Sequence, residues 1–134
     1  MRVIIAGSRS ITDPTALDEA IAHSGFQLTE IITGDSRGVD DLAAVWARTH
    51  GIPCQLVPVE WNRYGGRAEK LRNERISMMA EGCIAVWDGF SRGTSELVEF
   101  MHAHGLQVCV LRCNPQEAKD RKTTAFFRHP VTLL

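Results

Sequence analysis

Short apolar runs alternate with amphipathic stretches along this chain. RVIIAG (residues 2–7), LTEIITG (28–34), CQLVPV (54–59), CIAVW (83–87) and LQVCVL (106–111) are apolar segments of strand length. Such runs, with little polar alternation, predict strands buried on both faces of a parallel sheet. Pro58 marks the third as an edge strand, because proline cannot donate to a sheet ladder. Between the runs the apolar spacing becomes helical. Leu17, Ala20 and Ile21 share a face of PTALDEAIAHS, with Pro14 at its start. Val39, Leu42, Ala43 and Trp46 form a second face that stops at HGIP. Leu71, Met78 and Met79 mark a third helix, and Leu97, Val98 and Met101 face inward from GTSELVEFMHAHG.

Strands separated by helices imply right-handed crossovers, which place helices on both faces of the sheet. The expected architecture is α/β: a three-layer sandwich around a parallel five-stranded sheet of order 3-2-1-4-5. Its single domain runs over residues 1–112. Residues 113–134 form a less regular tail, in which KDRK reads as a solvated helix or turn and PVTLL as a segment docking on the body or on a second subunit. Phe100, Phe126 and Phe127 are apolar residues left for a homo-oligomer interface.

The totals narrow the functions. The chain has 134 residues, with fifteen basic side chains against sixteen acidic ones and a formal charge of −1. That balance supplies no extended basic groove, so no long nucleic acid is expected as a partner. No apolar run reaches membrane-spanning length and no leader pattern precedes the first strand, so no membrane association and a cytoplasmic location are expected. Cys54, Cys83 and Cys109 fall in or beside apolar segments and read as buried thiols. Neither they nor His50, His102 and His104 have metal-ligand spacing; no metal and no cofactor is expected.

The chemistry gathers where strands end. GSRS follows the first strand, GDSRG the second and DGFSRGT the fourth. In the expected order, strands one and four flank the point where the winding reverses, which is where open parallel sheets bind ligands. Glycine lets backbone approach a ligand, the following helix presents free N–H groups, and arginine offers a fork matched to phosphate oxygens. Together they describe a phosphate-binding rim built on Gly7, Ser8, Arg9, Gly34, Arg37, Gly38, Asp88, Gly89, Arg92, Gly93 and Thr94. GDSRGVDDLA and GFSRGTSELV are two copies of one spelling, and an unequal division of labour is expected. The fourth-strand copy grips phosphate near Gly93 and Thr94, and the second-strand copy reaches sugar or base through Asp40. No G-x-G-x-x-G follows the first strand and no Walker lysine appears, which excludes an ordinary nicotinamide dehydrogenase and a P-loop ATPase. Trp61 and Tyr64, beside Gly65 and Gly66, suit a lid that stacks a base.

RVIIAGSRSITD, ITGDSRGVDDLAAVWARTHGIP, EWNRYGGRAEKLRNERI and VWDGFSRGTSELVEFMHAHGLQV resemble, in this order, the YspA/cpYpsA-related SLOG family. The resemblance implies a Rossmann-like fold that binds a nucleotide or nucleotide-derived ligand. It implies ligand roles for Gly7, Ser8, Arg9, Gly34, Arg37, Gly38, Asp40, Arg72, Asn73, Gly89, Gly93 and Thr94. Relatives of that family include LOG-type phosphoribohydrolases, which split the base from a nucleoside 5′-monophosphate. Two positions depart from the pattern: Glu69 and Lys70 stand where a glycine-proline usually precedes the arginine-asparagine pair, and Leu97 stands where LOG enzymes carry an acid. If the chain is a hydrolase, Asp40 and Glu96 are its candidate catalytic acids, with Asp41 and Asp88 as further carboxylates. The alternative is a non-catalytic sensor or sequestering protein for a nucleotide signal.

Overall fold

In the computed structural model, residues 1–113 and the backbone of residues 125–128 are described. Strands β1 (Arg2–Gly7), β2 (Glu30–Thr33), β3 (Cys54–Leu56), β4 (Gly82–Trp87) and β5 (Gln107–Arg112) lie parallel in the order β3-β2-β1-β4-β5. This is the expected Rossmann-like arrangement. Register is continuous across the centre, with Ile4 beside both Ile32 and Cys83 and Ile84 beside Cys109.

Side chains leave successive strand residues toward opposite faces, so each central strand feeds two cores. Val3, Ile5, Ile31, Ile84 and Val86 pack under α1 (Pro14–Ser24) and α2 (Val39–Thr49), against Leu17, Ala20, Val39, Ala43 and Ala47. On the other face Ile4, Ile32, Cys83, Ala85, Val108 and Val110 meet Ile76 of α4 (Ala68–Ser77) and Leu97, Val98 and Met101 of α5 (Arg92–Ala103). The connection between β3 and α4 contains a short helix, α3 (Trp61–Tyr64), and a 3-10 turn over Gly65–Arg67.

Four expectations need correction. A sixth strand, β6 (Ala125–Arg128), pairs antiparallel with β5 and extends the sheet beyond the five predicted strands. α4 ends at Ser77, so Met78 lies past the helix and is 80% exposed; the inward face is carried by Ala68 and Ile76. Cys54 is exposed, because β3 is a three-residue edge strand with no residue buried. Phe100 is partly buried against the second core and stacks on His104 at 4.0 Å between ring centroids. KDRK, PVTLL and the side chains of Phe126 and Phe127 lie outside the described residues. No helix among the described residues is long and apolar enough to cross a membrane.

Candidate functional site

The three glycine loops are tied into one wall at the C-terminal edge of the sheet. Ser8 N donates to Val86 O (3.0 Å), and the Ser8 carbonyl accepts from Val39 N (3.4 Å), the first residue of α2. The buried Ser8 hydroxyl accepts from Asp88 N (2.9 Å), which joins the β1 loop to the β4 loop. Asp88 extends the link: its Oδ2 accepts from Ser10 Oγ (2.9 Å), and its Oδ1 accepts from Phe90 N (2.8 Å) and Ser91 N (2.7 Å). Burial pushes the Asp88 carboxyl up, but these donors outweigh it and leave the group below its ordinary pKa.

Close approach demands glycine at two positions here. A Cβ on Gly7 would stand 2.2 Å from Val86 O and 2.5 Å from a Val39 methyl. Gly38 has φ +75°, and a Cβ there would stand 2.4 Å from Ser8 O. Gly34 lies against the site itself: a Cβ would meet Asp40 Oδ2 at 2.7 Å and Arg72 Nη1 at 3.1 Å. Gly89 backs onto Arg112, whose Nε would be 2.7 Å from an added Cβ.

This wall borders a cavity of about 770 Å³, a size suited to a small ligand. Of the residues singled out in the sequence, Gly7, Arg9, Gly34, Arg37, Asp40, Arg72, Asp88, Gly93 and Thr94 line it. Ser8, Gly38, Asn73, Gly89, Arg92 and Glu96 do not. Ser8 and Gly38 hold the wall together, and Asn73 holds Arg72, accepting from its Nε through Oδ1 (3.1 Å). Arg72 Nη1 also donates to Val57 O (3.4 Å), which fixes the guanidinium at the cavity. Among the described residues, Arg9 and Arg37 make no ion pair.

The two G-x-S-R-G copies diverge because their helices begin at different letters. α2 starts at Val39, after Gly38, so Arg37 stays in the loop and faces the cavity. α5 starts at Arg92, before Gly93, so that arginine belongs to the helix. Arg92 is directed into solvent and pairs with Glu96 one turn later, Nε to Oε1 at 3.1 Å, with its side chain 91% exposed. Both candidates are thereby withdrawn from the cavity. Leu97, at the position where LOG enzymes carry an acid, is a buried apolar residue on the cavity wall.

Asp40 is the buried carboxyl of the site. Its Oδ2 accepts from Ser36 N (3.1 Å), while Oδ1 lies 3.2 Å from Thr33 Oγ1. Thr33 Oγ1 is also 2.7 Å from Ile5 O, an acceptor only, and the hydroxyl has a single hydrogen. Ile5 O and Asp40 Oδ1 therefore share one donor, and the shorter contact is the one to Ile5 O. Burial raises the Asp40 pKa; the Ser36 and Thr33 hydrogen bonds and the Arg72 charge oppose the rise. Burial likewise lowers Arg72, against the nearby charges of Asp40, Glu69 and Asp35.

Trp61, 51% exposed, lines the cavity, whereas Tyr64 borders a neighbouring hollow of about 250 Å³ that shares Arg72. Sequence reasoning did not place Thr33, Ser36 or Glu69 in the site, whereas Ser10, the last residue of the GSRS loop, lines the cavity as that loop's position implied. Ser36 was spelled in a glycine loop and was legible there. Thr33 reads as one more strand residue, and Glu69 stood out only as a departure from the family pattern. Among the described residues no cluster of His, Cys, Asp and Glu has the form of a metal site.

Residues 1–64 match the YspA, cpYpsA-related SLOG family. The chain is also 33% identical over 116 residues to the Gene 61 protein of Mycobacterium phage D29, an alignment covering 80% of this chain and 93% of that protein. Glycine loops, strand order and sequence similarity agree: the chain belongs to the YspA/cpYpsA-related SLOG family.

Proposed function

We propose that this protein binds a phosphorylated nucleoside or another nucleotide-derived small molecule in the cavity at the C-terminal edge of its sheet. The observation that carries this reading is the convergence of Arg9, Arg37 and Arg72 on one cavity whose wall is made of glycine loops. Guanidinium forks suit phosphate oxygens, and Arg72 is already held by Asn73 and Val57 before any ligand arrives. Trp61 offers a base an aromatic face at the rim, and membership of the SLOG family points the same way. A thermal-shift panel of nucleoside mono- and diphosphates, cyclic nucleotides and ADP-ribose tests it. A rise in melting temperature with phosphorylated nucleosides, absent with the parent nucleosides, is expected. No shift with any of them contradicts the reading.

The hydrolytic alternative is favoured by one observation, a buried carboxyl of raised pKa on the cavity wall, Asp40. Cleavage would break the C1′–N bond, its electron pair leaving with the base, while water adds to C1′ and one proton reaches the base. Free base released from a nucleoside monophosphate, and lost in Asp40→Asn, would support it. An intact nucleotide recovered after long incubation would favour a sensor or sequestering role.

A further inference from the structure

We infer that residues 58–67 are a hinged lid, pivoting at Gly65 and Gly66, and that a nucleobase closes it by stacking on Trp61. This rests on the nucleotide reading above and adds how the cavity shuts. The segment hangs between two anchors, Val57 (3% exposed) and Ala68 (1% exposed), and no residue between them is buried. Val57 is tied on both sides: its N donates to Thr33 O (2.7 Å), and its carbonyl accepts from Arg72 Nη1 (3.4 Å). The bonds of the segment itself are local. Arg63 N and Tyr64 N donate to Glu60 O, at 3.1 and 3.0 Å, Gly65 N donates to Trp61 O, and Ala68 N donates to Gly65 O. Among the described residues, none of its hydrogen bonds reaches the sheet. A stretch with so few buried contacts and only local bonds belongs to the least stable part of a fold.

Open space lies on both sides of the segment. Trp61 borders the cavity of about 770 Å³, whereas Glu60 and Tyr64 border the hollow of about 250 Å³, whose far wall includes Leu71 and Arg75 of α4. Protein interiors are close-packed, so a wall with room on each face is not fixed by its neighbours. Its C-terminal end is built to turn. Gly65 has φ +56° and ψ −132°, a combination open to glycine, and a Cβ on Gly65 or Gly66 would meet nothing within 4 Å. Gly7 and Gly38 are required by close contact; these two supply backbone freedom instead, which is what a hinge uses. Trp61 and Tyr64 leave large rings exposed, and a base laid on Trp61 would remove apolar area from water. Inorganic phosphate has no aromatic face and gives the lid no such reason to close.

Distances between spin labels, measured by double electron–electron resonance, test this. One label sits on the segment at Asn62→Cys and one on α5 at Glu99→Cys, both exposed positions, with Cys54→Ser and Cys113→Ser removing the accessible native thiols. Asp18→Cys on α1 with Glu99→Cys is the reference pair, joining two helices packed on the sheet. In the free protein the Asn62 distribution should be broader than the reference, and Gly66→Ala should narrow it. Adenosine, guanosine, cytidine and uridine 5′-monophosphates are then added in turn. Those that raise the melting temperature should narrow the distribution and move its mean by more than about 2 Å, and inorganic phosphate should leave it unchanged. A free-protein distribution as narrow as the reference would overturn the lid, whatever binds. A broad one that a bound nucleotide leaves unmoved, or that phosphate alone narrows equally, would overturn closure on a base while leaving nucleotide binding standing. No thermal shift with any nucleotide would overturn the nucleotide reading and closure on a base together, and the free-protein distribution would still decide the hinge.

Discussion

Gly38 and Ser8 touch backbone to backbone, so closely that a single methyl group on Gly38 would stand 2.4 Å from the Ser8 carbonyl oxygen. That contact brings the start of α2 against the β1 loop, where Val39 N donates to the same carbonyl. Gly38→Ala meets both this clash and a φ of +75°. The substitution should cost about 2–4 kcal/mol of folding stability, measured by chemical denaturation. A loss below about 1 kcal/mol would show that the two loops have room to separate.

Asp88 links the β1 and β4 loops rather than presenting a free carboxylate to a ligand. Asp88→Ala removes the acceptor for Ser10 Oγ, Phe90 N and Ser91 N, and should cost roughly 1–3 kcal/mol. Because the folded-state pKa is depressed, this contribution is present above the unfolded value of 3.8 and is lost as pH falls through the folded pKa. Asp88→Ala should accordingly flatten the acid limb of the stability curve, and an unchanged acid limb would contradict the assignment.

Asp40 carries the opposite sign. Its folded-state pKa is raised above 3.8, so its contribution to stability is fully present below the unfolded pKa and is lost as pH rises through the folded one. Asp40→Asn can keep the Ser36 N bond through its amide oxygen and donate to Thr33 through its NH₂. The variant should lose that part of the pH-dependent decline. Melting temperatures from pH 4 upward in parallel series, about one pH unit apart, check this; superimposable pH profiles would show that Asp40 is not the titrating group.

Thiol reactivity provides an independent test of the packing. Burial pushes the Cys83 thiol up to about 12, and Cys109 is buried beside it in the sheet, so neither should react with a thiol reagent at neutral pH until the protein unfolds. Cys54, exposed on the edge strand, should be modified in the native state. Native-state labelling of Cys83 would contradict the core described above.

The sheet order was legible because each apolar run ends in a turn signal, and the crossover rule leaves few topologies for strands that alternate with helices. β6 was not, since an antiparallel edge partner for β5 is fixed by tertiary contact, and AFFR has no marked periodicity. In the site, Arg9, Arg37 and Asp40 were readable from the glycine loops. Arg92 was misplaced because the same five-letter spelling does not say where its helix begins, and a start at Arg92 turns the side chain toward Glu96. Glu69 could not be read from spacing: it reaches the cavity wall through the packing of α4 beside the first turn of α5, a relation between elements distant in sequence.

The division between Arg9 and Arg92 offers the most direct test of the central claim, that a nucleotide-derived ligand is held by cations that reach the cavity. Calorimetric titration with the phosphorylated nucleoside giving the largest thermal shift should be run on the wild type, Arg9→Ala and Arg92→Ala. Removing Arg9, a charge-assisted donor at the cavity, should weaken binding by about 1.5–3 kcal/mol. Removing Arg92, paired with Glu96 in solvent, should change it by less than about 0.5 kcal/mol. Equal losses from the two variants, or binding unaffected by Arg9→Ala, would contradict the account.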